Sequence, residues 1–216
     1  MREQIGDSVC DCLLIFIMNT WLCSDWHLGE DRFELMGRPF LDPLDHVYTM
    51  MTNHNKVVAP DDEVLMVGDA VYQKASPEWL GSIGKFNGRK TLFRGNHDKP
   101  FTDEQLKPYF DVIIPEGQGV HREFCGIPCY ITHYPTEGIT DSFNLVGHIH
   151  AAWKYQLNML NVGVDVHHFC PVNSNTIKFH FDAISKYYDA DVWVAYSELN
   201  APFHATRGKK NTYFRP

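Results

Sequence analysis

The chain holds 216 residues, carries a formal net charge of −8 and is 44% apolar. That length suits one domain with a core of useful size and leaves little room for a second. The acidic balance argues against a protein that grips long nucleic acids through phosphate contacts, although bound divalent cations would cancel part of the charge locally.

The first apolar run, residues 13–18, is far short of the roughly 20 residues that a membrane span needs. Glu3, Asp7 and Asp11 precede it, unlike the positive lead of a signal peptide. Met18 is a second candidate start, so residues 1–17 read as an extension outside the core fold. Trp21, Leu22 and Cys23 form a short buried strand. Residues 44–53 have helical spacing, with Leu44, Val47, Tyr48 and Met51 on one face. Residues 63–67 predict a second buried strand. Ser76 and Pro77 mark a helix start, and Thr91, Leu92 and Phe93 predict a third strand. Further strands are expected at residues 112–114, 129–131 and 159–162. Residues 176–181 alternate and predict a half-exposed strand. Short apolar runs alternating with helical spacing imply an α/β architecture. Residues 18–182 form its domain, followed by an extension over 183–216.

Polar residues of metal-binding type follow the strands at once. Asp25 and His27 follow the first, Gly68 and Asp69 the second, and Gly95-Asn96-His97-Asp98 the third. His133 follows residues 129–131, and Gly147-His148-Ile149-His150 comes next. In open α/β sheets, ligands collect at the carboxyl ends of strands, so these segments should meet at one edge. Asp25 and His27 stand two apart, as do His148 and His150. On an extended chain both members of a pair point the same way, and each pair can clamp one ion. Carboxylate, imidazole and amide oxygen suit Mn, Fe or Zn. Asp69, alone after its strand, is the natural bridge between two ions.

The order Asp-x-His, Gly-Asp, Gly-Asn-His-Asp, His, Gly-His-x-His resembles that of the calcineurin-like metallophosphoesterase superfamily, over about residues 20 to 181. The chain is similar to its small, compact bacterial and phage members. Those also have Arg-Pro-Phe (here Arg38-Pro39-Phe40), His-Tyr-Pro (His133-Tyr134-Pro135) and Asn-Val-Gly-Val-Asp (Asn161 to Asp165). The resemblance implies a four-layer α/β/β/α sandwich and two divalent or trivalent metal ions. Asp25, His27 and His150 would hold one ion, and Asn96, His133 and His148 the other, with Asp69 bridging. It implies that His97 protonates the leaving oxygen, that Asp98 orients His97, and that Arg94 grips phosphate. Many members carry a second aspartate in Gly-Asp-x-x-Asp; here that position is Tyr72.

His46, His54, His121, His180 and His204 read as structural or surface residues, whereas His167 and His168 could edge the site. Asn55 is expected to help pack the first helix beneath the metals. Specificity should lie in loops 29–42, 134–144 and 165–175, where Arg32 and Arg38 could meet a second phosphate or a nucleobase. Cys10, Cys12, Cys23, Cys125, Cys129 and Cys170 form no CxxC pair and no zinc-site framework, and read as reduced thiols of a cytoplasmic protein. The tail from Phe203 carries Arg207, Lys209, Lys210 and Arg215 beside Tyr213 and Phe214, a composition that can hold single-stranded nucleic acid. The expected activity is hydrolysis of phosphodiester or phosphomonoester bonds of small, nucleotide-type substrates. Nucleic acid is a less favoured partner, and no membrane association is expected. A metal-dependent nuclease and a non-catalytic metal- and phosphate-binding protein are the alternatives.

Overall fold

A computed structural model describes residues 18–187. The extension over 1–17, the basic tail, His204, Cys10 and Cys12 lie outside these described residues. Within them, ten strands form two five-stranded sheets. The first is ordered β10-β1-β2-β3-β4, from β1 (Thr20–Cys23), β2 (Glu63–Met66), β3 (Arg89–Phe93), β4 (Val112–Ile114) and β10 (Val172–Asn173). The second is ordered β5-β6-β7-β9-β8, from β5 (Val120–Phe124), β6 (Ile127–Ile131), β7 (Phe143–Val146), β8 (Tyr155–Gln156) and β9 (Met159–Asn161).

Alternation along the central strands gives the first sheet two apolar faces. Cys23, Val64, Met66 and Leu92 pack with Val47, Met50, Leu80, Ile83 and Leu106 from the helical segments. Leu22, Leu65, Val67 and Phe93 point the other way and share a core with Ile127, Ile131, Phe143, Leu145 and Leu160 of the second sheet. Each fully buried aliphatic side chain contributes roughly 1.5–3 kcal/mol, so these two cores bind helices to sheet and sheet to sheet.

Register then places the site. β1, β2 and β3 are parallel, with Cys23 beside Met66 and Met66 beside Leu92, so their carboxyl ends are level. β6, β7 and β9 are also parallel, which levels the segments that follow them. A parallel bridge between Ser24 and Gly163 joins the chain just past β1 to the chain just past β9.

The strands expected at 21–23, 63–67, 91–93, 112–114, 129–131 and 159–162 all form. The helix expected at 44–53 is α2, Pro43–Val57, longer than its apolar spacing indicated. Asp42 caps it by accepting from the Leu44 and Asp45 amides, and Pro43 opens it. Its buried face is His46, Val47, Met50 and His54, whereas Leu44 and Tyr48 are exposed. Specific partners decide this. His54 Nε2 lies 2.9 Å from the Asn87 carbonyl oxygen and its ring packs on Trp26 and Phe86. His46 sits among Arg38, Phe33 and Phe40. Asn55 does seat the helix, accepting from Asn87 N–H and donating to the Lys85 carbonyl.

Residues 176–181 are not a strand. They belong to α5, Ser174–Tyr187, in which Ile177 and Ile184 are buried in the core between the sheets and Phe179 is exposed. Asn173 accepts from the Thr176 amide and starts the helix. The domain boundary expected at 182 falls inside it. Three shorter α-helices, α1 (Phe33–Met36), α3 (Leu80–Ile83) and α4 (Asp103–Leu106), and four short 3-10 helices, among them Pro77–Trp79 capped by Ser76, complete the described elements. None of the described helices is long and apolar enough to cross a membrane.

Candidate metal centre

The loops leaving the level strand ends converge. Asp25, His27 and His150 bring ligand atoms within 4.8 Å of one another; so do Asp69, His133 and His148, and so do His27, Asp69 and His97. The first two groups bring together residues that the sequence assigned to each of two ions. His27 Nε2 lies 3.9 Å from Asp25 Oδ1 and 3.6 Å from Asp69 Oδ2, and His133 Nε2 lies 3.4 Å from Asp69 Oδ2. Two ligands each about 2.1 Å from one ion stand about 3 to 3.4 Å apart, so the closest of these spacings suits a shared cation.

The unpartnered atoms test that fit. Buried side-chain atoms without a hydrogen bond include both ring nitrogens of His27, Asn96 Oδ1, His133 Nε2 and His148 Nδ1. A buried polar atom without a partner costs about 1–3 kcal/mol, and such atoms are rare. Two others, Nδ1 of His46 and of His54, lie in helix packing; the remaining five gather on expected metal ligands. These residues therefore fit the metal ions that the sequence pattern implies.

Backbone geometry explains the convergence differently from the extended-chain expectation. Asp25, His27, Asp69, His148 and His150 all have positive φ, at 61°, 51°, 58°, 72° and 48°. The paired residues are thus presented by left-handed turns, and not by an extended chain. Non-glycine residues rarely adopt this conformation, and it persists only where the surroundings enforce it. Backbone bonds do so: the amides of Asp25, His27 and Leu28 donate to the carbonyls of Gly68, Asp69 and Ala70. Gly68 must be glycine, because its φ is 91° and a Cβ there would fall on the His133 ring.

Asp98 has a different task from the one expected. It is fully buried and accepts from the amides of Asp69, Ala70 and Gly95. It thereby fixes the turn that carries Asp69 against the loop that carries Asn96 and His97. The partner of His97 is instead the Gln73 amide, which donates to Nδ1 at 3.4 Å. Nδ1 as acceptor leaves the proton on Nε2. Arg94 also departs from expectation. Its guanidinium donates to the carbonyls of Asp98 and Phe101 and pairs with Asp103 at 2.6 Å, so it braces the loop.

Arg38 belongs to the frame as well and meets no solvent. Its side chain is buried, grips Asp165 through Nε and Nη2 at 2.7 and 2.8 Å, and donates to the carbonyls of Asp25 and Trp26. Asp165 in turn lies 3.0 Å from His150 Nδ1, which leaves Nε2 of that ring for an ion. His133 Nδ1 is likewise 2.7 Å from the Val67 carbonyl oxygen. Asp165 was legible as part of the Asn-Val-Gly-Val-Asp segment, but its role was not. His167 bonds the Asn161 carbonyl and is structural.

Electrostatics follow the geometry. Burial pushes the Asp25 carboxyl up to about 6, against the pull of nearby imidazoles. Burial alone would lower the His133 imidazole, but the Asp69 and Asp25 carboxylates outweigh it and hold the ring up to about 9. Burial favours neutral Asp165, yet its bonds to His150 and Arg38 prevail and bring it down to about 2. Burial also lowers His27, His97 and His148, keeping those imidazoles neutral.

Comparison with known proteins gives the chain its relatives. The chain is 37% identical over 84 residues to the Gene 66 protein of Mycobacterium phage L5, covering 38% of this chain and 41% of the phage protein. The chain thus matches less than half the length of that relative. It is 28% identical over 169 residues to an uncharacterized protein of Methanocaldococcus jannaschii, covering 73% of this chain and 88% of the other. A crystal structure of a protein of unknown function from Aquifex aeolicus superposes with a TM-score of 0.58 at 25% identity, over 76% of this chain and 99% of that one. The family model for calcineurin-like phosphoesterases matches residues 18–195, and this chain belongs to that family.

Proposed function

We propose that the protein is a two-metal phosphoesterase hydrolysing phosphodiester or phosphomonoester bonds of small, nucleotide-type substrates. The observation that carries this is the set of buried, unpartnered ligand atoms on His27, His133 and His148, grouped around Asp69, with Asn96 Oδ1 also buried and unpartnered. Asp25, His27 and His150 would hold one ion and Asn96, His133 and His148 the other, with Asp69 between them. Bound there, Mn, Fe or Zn ions would lower the pKa of water and neutralise charge developing on the phosphoryl oxygens.

The chain's own residues supply the rest. Asp98 holds Asp69 and the His97 loop in register. Asp165 and the Val67 carbonyl orient His150 and His133 so that Nε2 faces inward. His97, neutral and carrying its proton on Nε2, donates that proton to the leaving oxygen. A four-layer α/β/β/α sandwich is the scaffold we assign. The helices packed on the first sheet and the shared core between the sheets support three of its layers.

The test is turnover by metal-stripped protein with Mn²⁺ restored, against a phosphodiester and a phosphomonoester reporter, beside Asp69→Asn and His97→Ala. Metal-dependent turnover lost in Asp69→Asn and reduced about 10²- to 10⁴-fold in His97→Ala is the expected result. Preference for DNA over both small reporters would favour a nuclease. Two bound ions per chain without turnover would favour a binding protein, and failure to bind metal would overturn the reading.

A further inference from the structure

Glu30 is buried to 1% exposure; its amide donates to the His27 carbonyl, whereas the hydrogen bonds of its carboxylate go to Asp31 and Arg32 and not to the ligand cluster. Its Oε1 accepts from the amides of Asp31 and Arg32 and from Arg32 Nε, and its Oε2 accepts from Arg32 Nη2 at 2.8 Å. Burying a carboxylate is costly unless it is paired and hydrogen-bonded. Here the pairing fixes an arginine whose side chain is still 47% exposed. A free surface arginine would sample many rotamers; this one is held in a single plane.

That plane has a defined place. The Arg32 guanidinium carbon lies 4.7 Å from the centroid of the Tyr72 ring, covering it. Tyr72 is itself buried, and its ring centroid lies 5.7 Å from that of His97. Arg32 and His97 therefore flank the same ring and stand no more than about 10 Å apart. Glu30 balances the arginine's charge and occupies two of its nitrogens. Tyr72 occupies one face. What remains is the rest of a flat, half-exposed side chain, within about 10 Å of His97, the proposed proton donor.

Such a surface is poorly suited to gripping a second phosphate, because its charge is already paired. It is well suited to stacking on a planar ring. Resting on the hydrolytic reading above, we propose that Arg32, held by Glu30 and Tyr72, is a stacking platform for the nucleobase of the leaving group, and so selects nucleoside-bearing phosphoesters.

The test is calorimetric binding to the full-length, metal-loaded protein. The ligands are the uncleavable 5′-phosphonate analogue of adenosine monophosphate and the same phosphonate lacking the base. The base should tighten binding about tenfold, the scale of one base–side-chain stack. Arg32→Ala should abolish that gap while leaving the baseless ligand unchanged. Arg32→Lys, which keeps the charge and loses the plane, should abolish it too. A wild type without the gap, a gap that survives in either variant, or equal weakening of both ligands overturns the proposal. Reporter turnover is read separately. If it fails while the base-dependent gap holds, the hydrolytic reading falls and the base platform stands.

Discussion

The two sheets hold their shares of the site by different means. The loops after β1, β2 and β3 are stitched to one another through backbone amides and carbonyls, with Asp98 as a shared acceptor, while Arg38 braces the loop after β1 from within and ties it to Asp165 past β9. The loops after β6 and β7 are tied across mainly by the candidate ligands themselves: His133 through its ring to the Val67 carbonyl, and His148 through its amide to the Asp25 carboxylate. One half is a frame that exists without the ligand atoms; the other leans on it through them. Damage to the frame should therefore cost stability first, and damage across the seam should cost metal binding first.

The sharpest way to break this contrast is Arg38→Ala. It strips Asp165 of its buried cation and frees two carbonyls, and should destabilise the protein by about 3–5 kcal/mol. Chemical denaturation measures this, and a loss below about 1 kcal/mol would mean that the frame does not depend on it. Asp98→Ala comes next, because it leaves three buried amides without an acceptor. About 3 kcal/mol should be lost in the metal-free protein; a variant that binds metal poorly at full stability would contradict the frame picture.

A smaller effect is gated by pH. Burial lowers the His54 imidazole to about 4, so the folded protein keeps it neutral while the unfolded chain protonates it near 6.5. Its contribution is complete above about pH 6.5 and is lost as the pH falls toward 4. Between pH 7 and pH 5 that amounts to about 2 kcal/mol. His54→Gln should flatten the dependence of stability on pH by that amount; an unchanged slope would sink the assignment. Across the seam, Asp165→Asn removes the acceptor that orients His150. It should weaken metal binding about 10- to 100-fold, as read by competition with a chelating dye.

The candidate ligands were legible because Asp25, His27, Asp69, Asn96, His133, His148 and His150 each come just after a strand, and strand ends show in short apolar runs. The sequence did not carry what holds those residues. Arg38 looked like a substrate arginine, since its partner Asp165 lies 127 positions away and nothing local announces the pair. Asp98 looked like the brace of its neighbour His97, whereas its acceptor oxygens face amides 28 and 29 positions back. The last helix was misread for a related reason. Ile177, Phe179 and Phe181 alternate as a strand would, but Ile177 and Ile184 also lie one helical face apart, and the core selected the second pattern.

The left-handed turns at Asp25 and Asp69 bear on how substitutions there should be read. Asparagine, like aspartate, tolerates that conformation better than most residues, because its short polar side chain can bond locally. An Asp-to-Asn change at either position should thus alter charge while sparing the fold. A β-branched replacement fails on steric grounds before its chemistry is ever tested. In a saturation scan these positions would resemble glycine turns in their intolerance of valine, with the demands of metal binding layered on top.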